Sequence, residues 1–278
     1  MAGWMSAMLM LLVAGRRTAS ELQLFQVLEI RTIIGLILLS PLVIMNGGFA
    51  SLATSRPLTH LGRAVAQYGA QYFWFLGLTL IPLTQVVSIE FTMPIWTAIL
   101  AMTLLGEKMT TRRALSIVLG LAGVAIIVRP EFSGANIGQV AMLVAAVAIS
   151  ISVTLTKSLT RTDHVVTITF WMLFAQSVIG LIPACYVWTS PRAELWPWLV
   201  VVAFCGMYSQ YCLSQAMRYA EATTIVSMDF LRVPLSALLG WVMFAEHLDV
   251  FTFLGAAAIL AGNLLNLRKA PVMFSRKN

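Results

Sequence analysis

The chain has 278 residues, is 59% hydrophobic and 10% charged, and carries a net charge of +7. Soluble domains are about 25% charged, so an ordinary soluble fold is excluded, and apolar stretches recurring from end to end predict an all-α polytopic membrane protein. A transmembrane β-barrel would need alternating strands of about ten residues, which the sequence lacks, and the basic residues sit in loops and in the tail, which points to membrane topology and to no nucleic-acid partner.

The pattern predicts ten spans: 3–14, 26–45, 64–80, 85–105, 114–128, 138–156, 166–187, 196–216, 222–244 and 250–267. At about 20 residues each they use roughly 200 residues and leave only short loops. Met1–Ala14 has no basic region before it, and Arg16 and Arg17 follow it, so it reads as a short first helix rather than a signal peptide. Arg31 stands near the start of the second span, where it can snorkel to the interface, so it reads as a structural residue first and as a weaker candidate for solute binding. Span three carries Gln67, Tyr68, Gln71 and Tyr72 in i, i+4 pairs on one face. Span four holds Glu90 and Pro94 and closes at Glu107, and span five carries the small pair Ser116 and Gly120.

In the second half, Tyr208, Tyr211 and Gln215 form a stripe on span eight, and Asp229, Arg232 and Pro234 lie in span nine, which closes at Glu246. Span ten has the small pair Ala258 and Gly262. Such pairs let helices approach closely, either within one chain or across a dimer. Cys185, Cys205 and Cys212 read as small packing residues; Cys205 and Cys212 are seven apart on one helix, about 10 Å, too far for a disulfide.

Residues 64–129 return as 203–268 with a shift of 139 and no gap, and fifteen positions are identical. They include Gln71/Gln210, Tyr72/Tyr211, Ser88/Ser227, Phe91/Phe230, Glu107/Glu246, Gly123/Gly262 and Arg129/Arg268. Internal repeats of membrane helices are a common transporter plan, with the solute site between the halves. With a cytoplasmic amino terminus, the cytoplasmic segments carry twelve Lys and Arg residues and the outer loops four, so both termini are expected inside. Five spans per half is an odd number, so the second half must enter from the opposite side. Equivalent loops change charge accordingly: Lys108, Arg112 and Arg113 follow Glu107, whereas His247 and Asp249 follow Glu246.

Pro94-Ile95-Trp96-Thr97-Ala98-Ile99-Leu100-Ala101, running on to Leu104-Leu105-Gly106-Glu107-Lys108-Met109-Thr110, resembles the signature of EamA-type permeases of the drug/metabolite transporter superfamily. Val233-Pro234-Leu235-Ser236-Ala237-Leu238-Leu239, running on to Phe244-Ala245-Glu246-His247-Leu248, is a second copy, and Leu121-Ala122-Gly123-Val124 and Leu260-Ala261-Gly262 match the module ends. The resemblance implies ten helices in two inverted five-helix repeats, residues 1–130 and 131–268, with 269–278 a cytoplasmic basic tail. It also implies a bacterial inner-membrane location and transport of small metabolites, without naming the solute.

Charged groups inside spans cost about 2.5–3.5 kcal/mol each at a helix centre, so they are the first candidates for solute handling. Glu90 and Asp229 are repeat equivalents, and each could bind a solute amine or take up a proton. Arg232, whose repeat partner is Met93, could either receive a solute carboxylate or phosphate or neutralise Asp229 three residues away. Pro94 and Pro234 remove backbone hydrogen bonds and are candidate hinges or simple kinks. Tyr68, Gln71, Tyr72, Gln210, Tyr211 and Gln215 are candidate cavity-lining groups; Trp74, Trp96, Trp171 and Trp241 could add aromatic walls or anchor at an interface. Glu107 and Glu246 read as loop-fixing groups.

The expected function is a secondary transporter of a small polar, aromatic or amino-acid-like solute working by alternating access. A lipid or lipid-linked head-group flippase is the alternative, and an intramembrane enzyme a remote one, since His60, His164 and His247 all fall at loops or span ends and HExxH and GxSxG motifs are missing. A nucleotide-binding GxxxxGK[ST] loop is also missing, and no cofactor or metal is expected. The expected partners are the solute and membrane lipid, with the chain a monomer or homodimer.

Overall fold

A computed structural model describes residues 2–81, 86, 89–90, 92–128, 137–222, 224–225 and 250–267. Among them are nine α-helices: α1 (Ala2–Ala19), α2 (Leu24–Met45), α3 (Pro57–Leu80), α4 (Met93–Leu105), α5 (Thr111–Val128), α6 (Ile137–Leu159), α7 (Val165–Tyr186), α8 (Trp196–Tyr219) and α9 (Val250–Leu267). Short 3-10 turns at Gly48–Leu52 and Ala193–Leu195 lead into α3 and α8. The chain is an all-α, multi-pass membrane protein. Four of the described helical segments are long and apolar enough to cross a bilayer: Leu24–Met45, Ile137–Leu159, Val165–Tyr186 and Ala193–Tyr219.

The exterior is apolar, unlike that of a soluble protein, and the interior mixes apolar packing with buried polar groups. Ile37, Ile44, Leu104, Val178 and Ile182 point outward, while Gln26, Glu29, Arg31, Arg63, Gln71, Glu90, Gln176 and Gln210 are buried. A lipid-facing exterior explains the first set; of the second, Gln26, Glu29, Arg63, Glu90 and Gln210 make polar contacts, while Gln71, Gln176 and the Arg31 Nε have no hydrogen-bond partner.

Several elements differ from the sequence expectation. α1 does not stop at residue 14 but runs on through Arg16 and Arg17 to Ala19. α3 starts at Pro57 rather than 64, because proline is pre-organised for the first helical turn; this draws His60 and Arg63 into a helix. Span four is not one helix over 85–105. Residues 89–90 are helical, Thr92 lies in a turn, and α4 starts anew at Met93 with Pro94 in its first turn. There the Thr92 N–H donates to the Ile89 carbonyl, and the Ile95 N–H donates to the Thr92 carbonyl. Pro94 therefore occupies a position where its missing N–H breaks no helical bond. Of span nine, residues 222, 224 and 225 are described, all helical.

The principal packings pair α3 with α6, α1 with α8, α2 with α7 and α5 with α9; α2 also meets α8, α3 meets α7, and α4 meets α6. Small residues set the α5–α9 approach. A Cβ on Gly123 would stand 2.6 Å from the Gly255 carbonyl oxygen, and one on Gly262 would stand 3.0 Å from that of Ser116. The higher number on one helix faces the lower on the other, so α5 and α9 run antiparallel. The small residues of these two spans thus pack within the chain. α2 and α7 are also antiparallel, with Gly35 against Leu173 and Gly180 against Glu29.

Candidate functional site: a cavity between the helices

Inside the bundle lies a cavity of about 50 Å³. α1 contributes Met8 and Leu11, α2 contributes Arg31, and α3 contributes Gln67, Ala70, Gln71, Trp74 and Phe75. Glu90, Ile149 of α6, and Ser209 and Gln210 of α8 complete it. The Trp74 indole N–H donates to Glu90 Oε2 at 3.1 Å, fixing that carboxylate at the cavity wall. Gln71 is buried with both amide atoms unpartnered, leaving one donor and one acceptor group for an occupant.

Three of the candidate site residues, Glu90, Gln71 and Gln210, meet in this cavity. Others lie elsewhere. Tyr72 is stacked on Phe25, ring centroids 4.7 Å apart, in the packing beside α2. Tyr211 packs with the cluster around Leu39, Val43 and Met207. Tyr68 is buried beside Glu29 over Gly180, Gln215 is half-buried on α8, and Trp96 is half-buried on α4 with its indole N–H unpartnered. Asp229, Arg232 and Pro234 lie outside the described residues.

Arg31 was expected to snorkel. It is instead 4% exposed and lines the cavity, because α2 begins at Leu24 and places it two turns inside the helix. The predicted third span, 64–80, leaves Arg63 outside it, but α3 begins at Pro57 and includes it. Arg63 is fully buried. Its Nε donates to Thr156 Oγ1 at 2.5 Å, Nη1 to the Ile168 carbonyl at 2.9 Å, and Nη2 to Gln210 Oε1 at 3.4 Å. One guanidinium thus ties α3 to α6, α7 and α8 and holds the Gln210 amide at the cavity edge. Pro57 as a helix start was the signal that Arg63 lies in α3.

Two further polar groups support the bundle. Glu29 of α2 accepts the Ser177 hydroxyl of α7 at 2.7 Å. At the end of α6, Asp163 Oδ2 accepts His60 Nε2–H at 2.6 Å and the Thr54 hydroxyl at 2.7 Å. An ionised carboxylate has no proton to give, so the Nε2–H form of His60 is required. Burial pushes the Asp163 carboxyl up, but the hydrogen bonds from His60, Thr54 and Thr162 and the electrostatic effect of His60 outweigh it and hold the group below the ordinary carboxylate value. Glu107 acts as expected of a loop-fixing group, accepting the Ala222 N–H at 3.0 Å.

A multi-pass helical membrane protein with an internal cavity of mixed polar and apolar lining, walled by several helices, is the class that fold and site define. The sequence profile of the EamA-like transporter family matches residues 5–129 and again residues 136–268. The chain belongs to the EamA-like transporter family. It is 25% identical over 266 residues to an S-adenosylmethionine uptake transporter of Rickettsia felis, covering 96% of this chain and 90% of that one. It is 30% identical over 246 residues to a riboflavin transporter of Brucella anthropi, covering 85% of each. A solved crystal structure shares the fold, with a TM-score of 0.77 at 17% identity over 95% of this chain and 94% of its own. Family and relatives alike point to transport rather than catalysis.

Proposed function

We propose that the chain is a secondary transporter that carries a small polar, aromatic or amino-acid-like solute across the bacterial inner membrane by alternating access. The observation that carries this reading is the cavity, where Gln71, Trp74 and Glu90 from the first half face Ser209 and Gln210 from the second. A site between halves is what a rocking transporter requires. Both relatives are named for solutes with a planar nitrogen heterocycle on a polar chain, and Trp74 and Phe75 offer aromatic surface beside the two glutamines.

The ten-helix arrangement of two inverted repeats, 1–130 and 131–268, belongs to the same proposal. Exchanging the halves at shift 139 turns the α3–α6 packing into α8–α1 and the α2–α8 packing into α7–α3, all of which occur. The Gly123–Gly255 contact exchanges with Gly262–Ser116. That the family profile matches twice supports the same division. Both termini are cytoplasmic in this reading, followed at the end by the basic tail 269–278. Both halves of one chain build the cavity, so a monomer suffices. Pro94 and Pro234 serve as hinge positions, and Glu90 and Asp229 are the groups through which a proton could couple.

The test is metabolite profiling of cells with and without overexpression, followed by flux of the responding solute in proteoliposomes for wild type, Glu90→Gln, Asp229→Asn and Gln71→Ala. Each change is expected to lower flux at least tenfold or to shift its pH dependence. A solute carried at wild-type rate and wild-type pH dependence by all three variants would place the pathway elsewhere.

A further inference from the structure

Arg31 is a buried cation without an ion pair among the described residues. It is 4% exposed, and its Nε has no hydrogen-bond partner. A cation withdrawn from water without a partner is costly, and such groups inside membranes face a cavity or a counter-ion. Arg31 faces the cavity.

The protein also makes room for it. The guanidinium lies over Gly206 of α8. A Cβ there would collide with Nε and stand 2.6 Å from Nη2 and 2.8 Å from Cζ. The repeat equivalent of Gly206 is Gln67, whose side chain also lines the cavity. The first half thus presents an amide where the second presents bare backbone, and Arg31 fills the difference. The result is a polar asymmetry between two helices that are repeat equivalents.

We infer that Arg31, seated over Gly206, is an oxyanion subsite of the cavity, and that the solute carries a carboxylate or phosphate. This rests on the proposed transporter reading and narrows its solute class. A planar guanidinium offers paired N–H donors that fit either oxyanion bidentately, which a lysine ammonium does not.

The experiment uses the purified full-length chain and three matched pairs of probes. S-adenosylmethionine against its decarboxylated form and L-tryptophan against tryptamine test a carboxylate. Riboflavin 5′-phosphate against riboflavin tests a phosphate. Binding is read by thermal stabilisation and by competition. Wild type should favour the anionic member of at least one pair by about tenfold or more, the size expected of a charge-assisted contact, and the pair identifies the oxyanion. Arg31→Met should lose that preference, and Arg31→Lys should keep part of it. Gly206→Ala should weaken it several-fold by displacing the guanidinium with no change in charge. That variant carries the test if Arg31→Met does not fold, because the methyl presses on the movable end of a side chain. Equal binding of both members of every pair, or a preference that survives Arg31→Met, overturns this inference and leaves the transporter reading standing. Failure of every probe to bind overturns the cavity as a solute site, and this inference with it.

Discussion

Arg63 shows how a single buried side chain can organise a membrane bundle. Its donors serve Thr156, the Ile168 carbonyl and Gln210 on three different helices. Arg63→Met removes all three, and leaving buried acceptors unmatched costs about 1–3 kcal/mol. The expected outcome is a clear drop in the midpoint of denaturant unfolding in detergent, together with weaker solute binding because Gln210 loses its anchor. A midpoint equal to wild type would mean that the guanidinium is replaceable by any side chain of similar volume. Asp163 makes the complementary case outside the spans. Its carboxyl is held below the ordinary Asp value of 3.8 in the folded state. A lowered folded value contributes stability that is present in full above the unfolded value and is lost as pH falls through the folded one. Thermal unfolding followed from neutral pH into the acid range should show this loss. Asp163→Asn should be less stable at neutral pH and should lose less than wild type on acidification.

Between α5 and α9 the controlling quantity is the distance from backbone to backbone. A methyl group on Gly123 meets the Gly255 carbonyl oxygen at 2.6 Å, and a carbonyl cannot rotate away as a side chain can. Gly123→Ala should therefore force the helices apart, at about 1–3 kcal/mol for overpacking. Gly69→Ala on α3 is the control, since its added Cβ meets nothing within 4 Å. Unfolding temperatures of the two variants should separate, with only Gly123→Ala lowered; a matching pair of values would dissociate the glycine from the close approach. The sequence made these contacts partly legible. Small residues at spacing four marked spans five and ten as closely packing helices, but a pattern of small residues does not say which helix they meet. Positions of Glu90, Gln71 and Gln210 were legible because burying polar groups in apolar spans is costly and the repeat doubled the signal. Arg31 and Arg63 were not, because their placement depended on helix starts. Seven residues of extra helix at the front of α3 turned a loop arginine into a core one. Tyr72 and Tyr211 went the other way. They match across the repeat, yet an amphipathic ring satisfies a helix interface as well as a cavity, and the identity of the residue cannot separate the two.

At the scale of the whole molecule, the inverted repeat makes a prediction that no single helix makes. Equivalent positions in the two halves must face opposite sides of the membrane. Lys108 and His247 are such a pair, each following its repeat's glutamate, and Lys108 is exposed. In a chain whose native Cys185, Cys205 and Cys212 are replaced by serine, Lys108→Cys should react with a membrane-impermeant maleimide only after the membrane is opened. His247→Cys should react in intact cells whose outer membrane has been permeabilised. The charge pattern requires this order, because Lys108, Arg112 and Arg113 hold the first loop inside while the second loop has no Lys or Arg through Asp249. Labelling of both positions from the same side would break the symmetry argument at its base. The packing exchange between α3–α6 and α1–α8 would then need a cause other than inverted duplication. Labelling in the reverse order would keep the inverted repeat and move both termini outside. The same pair of variants therefore separates topology from orientation, and neither outcome depends on knowing what the cavity holds.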